Sequence, residues 1–375
     1  MEFNRTELMP GVFLSHLRSD KFKTACMSVT LLTQLRRETA AMNAVIPFVL
    51  RRGTTRYSDM EQLSRRMDEL YGAAVEPVVR RIGEIQCIGF YGSFPEPDYL
   101  PGGEALLGDT CALMAQLLLD PVTRGGLLLP QYVDSEREKL LDIIRSRMND
   151  KRSYALTRCI EEMCCYEDFA VSRFGSESEA ENIHYKKLTR HYRELIQTCP
   201  VEIFYCGKTD FKAVSAAMRD AFSAMPRGEI DYDIGTDLRM NAVEDHVRFV
   251  EEEMDVTQGK RVLGFRLGEC MEEPDIPALY VFNAVYGSGA TSKLFMNVRE
   301  KLSLCYYASS AVYLHKGIML VSSGIEFDKL DAARDEILAQ LDSVRRGEIT
   351  DDELRSAKKK RRFRPACGSG QHRRA

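Results

Sequence analysis

Residues 286–307 read YGSGATSKLFMNVREKLSLCYY, a glycine-broken turn running into a helix-like stretch that ends at two tyrosines. A glycine-rich turn that opens a helix can cradle a phosphate, because the helix N-terminus presents free N–H groups and partial positive charge. The phosphate-loop pattern needs Lys directly after its last glycine. Here Ala290, Thr291 and Ser292 separate Gly289 from Lys293, so the turn does not have that chemistry.

Metal and nucleophile chemistry also lack a motif. The six histidines are His16, His184, His191, His246, His315 and His372. Only His184 and His191 share a helix face, and two helical turns between them are too wide for co-ligation without a third group. Eleven cysteines occur without C-x-x-C, and the adjacent pair Cys164 and Cys165 suits neither a disulfide framework nor a zinc knuckle. Most read as buried small hydrophobes in a reducing, cytoplasmic compartment.

The net charge is −4, yet the last eighteen residues, KKKRRFRPACGSGQHRRA, hold eight Lys or Arg and no acid. The remainder therefore carries −12, which argues against a nucleic-acid partner. No run of about 18 uncharged apolar residues is present, and the N-terminus lacks the basic-then-apolar order of a signal peptide, so no membrane partner is expected.

The elements that would position a site repeat. GVFLSHL and FKTACMSVTLL read as strands, Thr39–Leu50 as a helix, and a second helix follows an N-cap at Ser58 or Asp59 and ends near Tyr71. AAVEPVVRRI and EIQCIGFYGSF form a hairpin about Gly83, and a long helix ends at Leu119. More helices are expected near 133–147, 155–165, 186–197 and 210–224, with a strand at 201–207. The second half replays the order: strands VRFVEEEMDV and GKRVLGFRLG, helices IPALYVFNAVYG and SKLFMNVREKL, hairpin SSAVYLHKG with IMLVSSGIE, then a long helix over 328–346 and another from Thr350 to Lys360. This duplication predicts an α+β protein of two homologous domains, each a mostly antiparallel sheet with helices on one face, opposed across a chamber. The expected bounds are 1–225, a linker at 226–237, an incomplete second domain over 238–358, and a basic disordered tail over 359–375.

RRGTTRYSDMEQLSRRMDELYGA in the first copy and S-K-L-F-x-x-V-R-E-K-x-x-L-x-Y in the second resemble the M16 zinc peptidases, the insulinase and mitochondrial processing peptidase group. The resemblance runs from about Gly11 to Lys358 and implies that the glycine turn is a bend between two helices. In active members, Arg and Tyr at the positions of Arg299 and Tyr306 hold the substrate peptide. A guanidinium supplies a forked cationic donor for carbonyls and a phenol supplies a hydroxyl donor.

Activity in that family needs H-x-x-E-H, two zinc ligands flanking a general base, and a distal Glu. Aligned on Arg52-Gly53-Thr54, the motif falls on Ala44-Val45-Ile46-Pro47-Phe48, and the distal position falls near Ala112. Ala44, Pro47 and Phe48 offer neither ligand nor base. The resemblance is therefore to the inactive bacterial type, which implies no catalytic residue, no metal or other cofactor in this chain, and a hetero- or homodimer. The expected partner is an active zinc-dependent M16 peptidase, and peptide is the expected ligand. Members of this type are associated with the aminopentanol modification of elongation factor P. An active zinc peptidase with ligands elsewhere and a stand-alone peptide-binding scaffold remain open at this level. Beyond Lys358 the family pattern stops, as it would at a shifted reading frame or at a genuine basic tail.

Overall fold

The computed structural model describes residues 2–239, 246–268 and 276–363. They divide into two units, Met1–Ser146 with Val171–Thr236, and Arg147–Ala170 with Asp237–Ala375. In chain order the first stretch holds β1 (Glu2–Met9), β2 (Val12–Arg18), β3 (Thr24–Gln34), α1 (Arg37–Leu50), α2 (Met60–Glu69), β4 (Ala74–Ile82), β5 (Ile85–Pro95) and α3 (Leu107–Leu119). The short pair β6 (Thr123–Arg124) and β7 (Leu127–Leu128) precedes α4 (Pro130–Ser146) and α5 (Lys151–Met163). Next come α6 (Glu177–Glu181), α7 (Tyr185–Thr198), β8 (Val201–Gly207) and α8 (Phe211–Ala221). The second half holds β9 (Gly259–Arg266), α9 (Ile276–Tyr286), a π-helical stretch Leu294–Lys301, β10 (Tyr307–Tyr313), β11 (Ile318–Ile325), α10 (Leu330–Arg345) and α11 (Asp351–Phe363).

Period-two patterning builds the first unit's sheet. Ala25, Met27, Val29 and Leu31 are buried while Cys26, Ser28, Thr30 and Leu32 are half-buried, so β3 turns one row of side chains to the core. The sheet runs β1-β2-β8-β3-β5-β4, antiparallel throughout except where β2 lies parallel to β8. β1, which sequence patterning did not assign, pairs with β2 from the edge. Pro77, which has no N–H, is tolerated because β4 is the opposite edge. The core lies between the inward row and α1, α3, α4, α7 and α8. Asp59 caps α2 by accepting from Gln62 N–H at 2.9 Å.

The second unit has a three-stranded sheet, β10-β11-β9. All eight residues of β11 are buried, which requires cover on both faces. Met319 and Val321 meet Tyr286, Val298, Ala333 and Ile337, whereas Ile318 and Leu320 meet Ile160, Cys164 and Phe169. The second group comes from α5 and the turn after it. Residues 147–170, expected within a first domain of 1–225, therefore belong to the second unit, because their apolar side covers a sheet face that nothing else among the described residues covers.

Two further expectations change. VRFVEEEMDV forms no strand; its charges run along α5, with Arg248 donating to Glu162 C=O at 2.8 Å and Glu252 pairing with Arg158 at 2.6 Å. Helix α11 continues through Phe363, past the expected start of the basic tail at 359. Thr350 and Glu353 cap it reciprocally, and its acidic first turn followed by lysines and arginines complements the helix dipole. The rest of the tail, 364–375, lies outside the described residues.

The glycine turn has a packing role. Gly287 C=O accepts from Ser310 N–H at 3.1 Å, and Ser310 Oγ and Asn283 Oδ1 stand 2.6 Å apart, so the end of α9 is held on β10. A Cβ on Gly287 would stand 2.4 Å from Ser310 Oγ and 2.7 Å from Ser310 N. Gly287→Ala is expected to lower stability by about 1–3 kcal/mol, measured by urea unfolding, because the turn must lift off β10 and release that bond. A loss below about 0.5 kcal/mol would show that the contact gives freely.

Candidate functional site

Helix α1 carries the positions where the resemblance expects the metal. Ala44 is fully buried, Pro47 is buried inside the helix and Phe48 is half-buried. A methyl, a pyrrolidine ring and a phenyl ring offer no lone pair, so these three positions can neither ligate a cation nor take a proton. Among the described residues, no three His, Cys, Asp or Glu side chains gather in a group able to hold a metal ion.

Beside Ala44 the structure builds something the sequence reading missed. Asn43, fully buried, donates from Nδ2 to Gln86 Oε1 at 2.8 Å, and Gln86 Nε2 donates to Ala40 C=O at 3.0 Å and Arg173 C=O at 2.7 Å. His191 Nε2 stands 2.6 Å from Asn43 Oδ1. Because Gln86 Nε2 must serve two carbonyls, each amide orientation is fixed in turn, and His191 must donate from Nε2. Burial pushes the His191 imidazole below its ordinary pKa, against the pull of Glu194. His184, its expected face-mate, is instead the N-cap of α7, where Nδ1 accepts from Lys186 N–H.

The distal carboxylate position falls on α3 near Ala112, but the helix packed most closely on α1 is α4. It carries Glu136, only 5% exposed, which pairs with Lys139 at 2.7 Å and Arg52 at 3.4 Å. Arg52 also lies over the Tyr132 ring at 5.0 Å. Two cations already compensate this carboxylate. An apolar-periodic helix with one Glu on its inner face, DSEREKLLDII, was the available signal.

In the second unit, Arg299 lies on the π-helical stretch and its side chain is 40% exposed, 3.1 Å from Glu300 and stacked over Phe295 at 4.6 Å. Tyr306 is 51% exposed and donates its hydroxyl to Glu326 Oε1 at 3.0 Å. That bond raises the phenol pKa, while Lys329 and Tyr306 lower that of Glu326. The Arg299 charge acts on the buried Cys305 thiol, the residue before Tyr306, though burial dominates and pushes that thiol up to about 11. The two exposed side chains thus have separate partners, Glu300 and Phe295 for Arg299 and Glu326 for Tyr306.

Sheet edges complete the picture. The outer edge of β10 is occupied at Ser310 by the glycine turn. Beyond β9, Leu267 N–H bonds Gly317 C=O at 2.8 Å in continuous register, so odd residues of β9 serve β11 and even residues turn their backbone groups outward. Among the described residues no backbone group pairs with that outer row. In the first unit the duplicated strand β3 has β5 on one side and β8 on the other.

Residues 182–361 match the peptidase M16 inactive domain. The probable inactive metalloprotease YmfF of Bacillus subtilis (strain 168) is 31% identical over 358 residues, covering 95% of this chain and 83% of that protein. The crystal structure of a conserved protein from Enterococcus faecalis V583 superposes with a TM-score of 0.86 at 24% identity, covering 96% of this chain and 84% of that one. A peptidase M16 inactive domain from Pseudomonas fluorescens superposes at 0.75 with 13% identity, covering 97% of this chain and 84% of that one. No helix among the described residues is long and apolar enough to cross a membrane. The chain belongs to the M16 peptidase family as an inactive homologue.

Proposed function

We propose that this chain is a non-catalytic subunit that captures an extended peptide segment by strand addition at the outer edge of β9 and pairs with an active, zinc-dependent M16 partner. The observation that carries the reading is that edge, which no backbone group among the described residues occupies. Lys260, Val262, Gly264 and Arg266 turn N–H and C=O groups outward, and in the duplicated first unit an antiparallel strand, β8, fills the matching edge of β3. An added strand satisfies that row and places alternate side chains on each face.

Arg299 and Tyr306 stand by β10, at the other side of the same sheet, and in this reading hold the part of the segment that runs on past the β9 edge. The exposed guanidinium of Arg299 suits carbonyl groups of the bound segment or of the partner, and the Tyr306 hydroxyl joins it on release from Glu326. Zinc belongs to the partner in this reading, and the setting is cytoplasmic, in keeping with nine free cysteines among the described residues. A link to the aminopentanol modification of elongation factor P follows from family resemblance alone.

The test mixes the purified chain with a co-encoded M16 homologue that keeps H-x-x-E-H. Co-purification and raised peptidase activity of the mixture are expected, with the chain alone silent. Lys260→Pro removes one outward N–H and no bond to β11, and is expected to weaken labelled-peptide binding about tenfold. Arg299→Ala and Tyr306→Phe are expected to weaken it about three- to tenfold each. Chelator-sensitive cleavage by the chain alone would overturn the reading, as would unchanged peptide binding in all three variants.

A further inference from the structure

The first unit's sheet sets two cysteines directly opposite one another. Cys26 of β3 and Cys206 of β8 are register partners in an antiparallel pair, so both side chains leave the same face of the sheet. Leu32 N–H bonds Pro200 C=O at 2.9 Å, which puts the hydrogen-bonded rungs at the even residues of β3 and makes Cys26 and Cys206 one of them. Cα atoms on such a rung stand about 5.5 Å apart, inside the span a disulfide bridges.

The two thiols differ in access: burial, with Cys26 and Glu96 beside it, raises the Cys206 pKa, so attack on an external disulfide falls to Cys26. Cys26 lies on the half-buried row of β3, away from the helical layer, and is the more accessible of the two. Its thiol also neighbours Tyr91 of β5, whose phenol pKa is raised by burial first and by Cys26 after it. Most other described cysteines are buried; Cys159 faces the second unit's core beside Cys164, and Cys165 is exposed next to it.

We infer that Cys26 and Cys206 form a reversible dithiol–disulfide site, oxidised by a low-molecular-weight disulfide such as glutathione disulfide. Cys26 loses its proton to water and its thiolate attacks one glutathione sulfur. The glutathione S–S bond breaks, one glutathione thiolate leaves and takes up a proton, and a mixed disulfide remains on Cys26. The Cys206 thiolate then attacks the Cys26 sulfur and expels the second glutathione. Two protein thiols lose two electrons and two protons; glutathione disulfide gains them as two thiols.

The experiment incubates the full chain with millimolar glutathione disulfide, blocks residual thiols with iodoacetamide, and maps a non-reducing digest by mass spectrometry. A Cys26–Cys206 cross-linked peptide, an intact mass about 2 Da lower, loss of two titratable thiols and full reversal by dithiothreitol are expected. Cys206→Ser is expected to trap a glutathione adduct on Cys26, and Cys26→Ser to abolish both adduct and bridge, each with unchanged circular dichroism. A stable adduct on Cys26 in the unsubstituted chain without the bridge would overturn the inference, as would a first-formed bridge between Cys159 and Cys164.

Discussion

Replacing Glu167 by Gln is expected to lower the unfolding free energy by about 3–5 kcal/mol at neutral pH. Glu167 is 3% exposed and lies 2.5 Å from the ammonium of Lys316, whose side chain is fully buried. Arg266 of β9 donates to the same carboxylate and also to Met163 C=O at 3.1 Å. Lys316 donates to Asp237 C=O as well and faces the Phe169 ring at 5.8 Å. The carboxylate thus balances two cations, one of which has no access to water. Gln keeps the shape and removes the negative charge that faces the buried ammonium of Lys316. Burial alone would raise the Glu167 pKa, but hydrogen bonds from Arg266 and Lys316 outweigh it and hold the group below its ordinary value of 4.5. A depressed carboxylate stabilises the fold above its unfolded pKa, and that stability is lost as pH falls through the folded value. Urea unfolding at pH 7 and at pH 4 tests both statements: the gap between parent and Glu167→Gln should shrink at the lower pH. Amide exchange should rise in β9 and β11 while β3 stays protected. The pair Glu167→Gln with Lys316→Met should recover much of the loss, because Arg266 is 17% exposed and reaches water. A single-variant loss below about 1 kcal/mol would show that Lys316 finds another anion.

The tie through Glu167 also explains what patterning could and could not reveal. Alternation in TACMSVTLL and the spacing of apolar residues in RETAAMNAVIPFVL report which side of an element is buried, so β3, α1 and most other elements were legible. Neither pattern names the sheet an apolar face will cover. The inner face of α5 reads the same whether it packs on β3 or on β11, and only tertiary contact assigns 147–170 to the second unit. VRFVEEEMDV has strand composition but needs a neighbour with a free ladder. In the first unit β8 intervenes between β2 and β3, and no strand stands beside β9 among the described residues to pass the pairing on.

Site residues divide the same way. The loss of H-x-x-E-H was legible from three side chains, since Ala44, Pro47 and Phe48 are neither ligand nor base. Glu136 was not, because its identity as a compensated buried acid depends on Arg52 and Lys139 reaching it. Asn43 was least legible: a polar residue in an apolar helix looks the same in sequence whether it faces water or a buried partner. Its partners, Gln86 and His191, lie far away along the chain.

That buried chain carries the second large effect. Asn43→Leu is expected to cost about 2–4 kcal/mol, because it strands Gln86 Oε1 and the His191 Nε2–H in a dry setting and adds volume beside Ala44. Gln86→Leu should cost a similar amount, since the carbonyls of Ala40 and Arg173 lose their donor. The double variant should cost clearly less than the two losses added, because each single change already breaks the same chain; simple additivity would mean the groups act independently. His191 gives the network a pH signature. Its folded-state pKa lies below the unfolded value of 6.5, because burial disfavours the imidazolium. As pH drops below that value the unfolded chain binds a proton that the folded chain refuses, so stability falls until the folded value is passed and then levels. Thermal unfolding between pH 7.5 and about 5 should show this decline in the parent protein. His191→Gln should flatten it, even though that variant is less stable at neutral pH, and an unchanged slope would place the titrating group elsewhere.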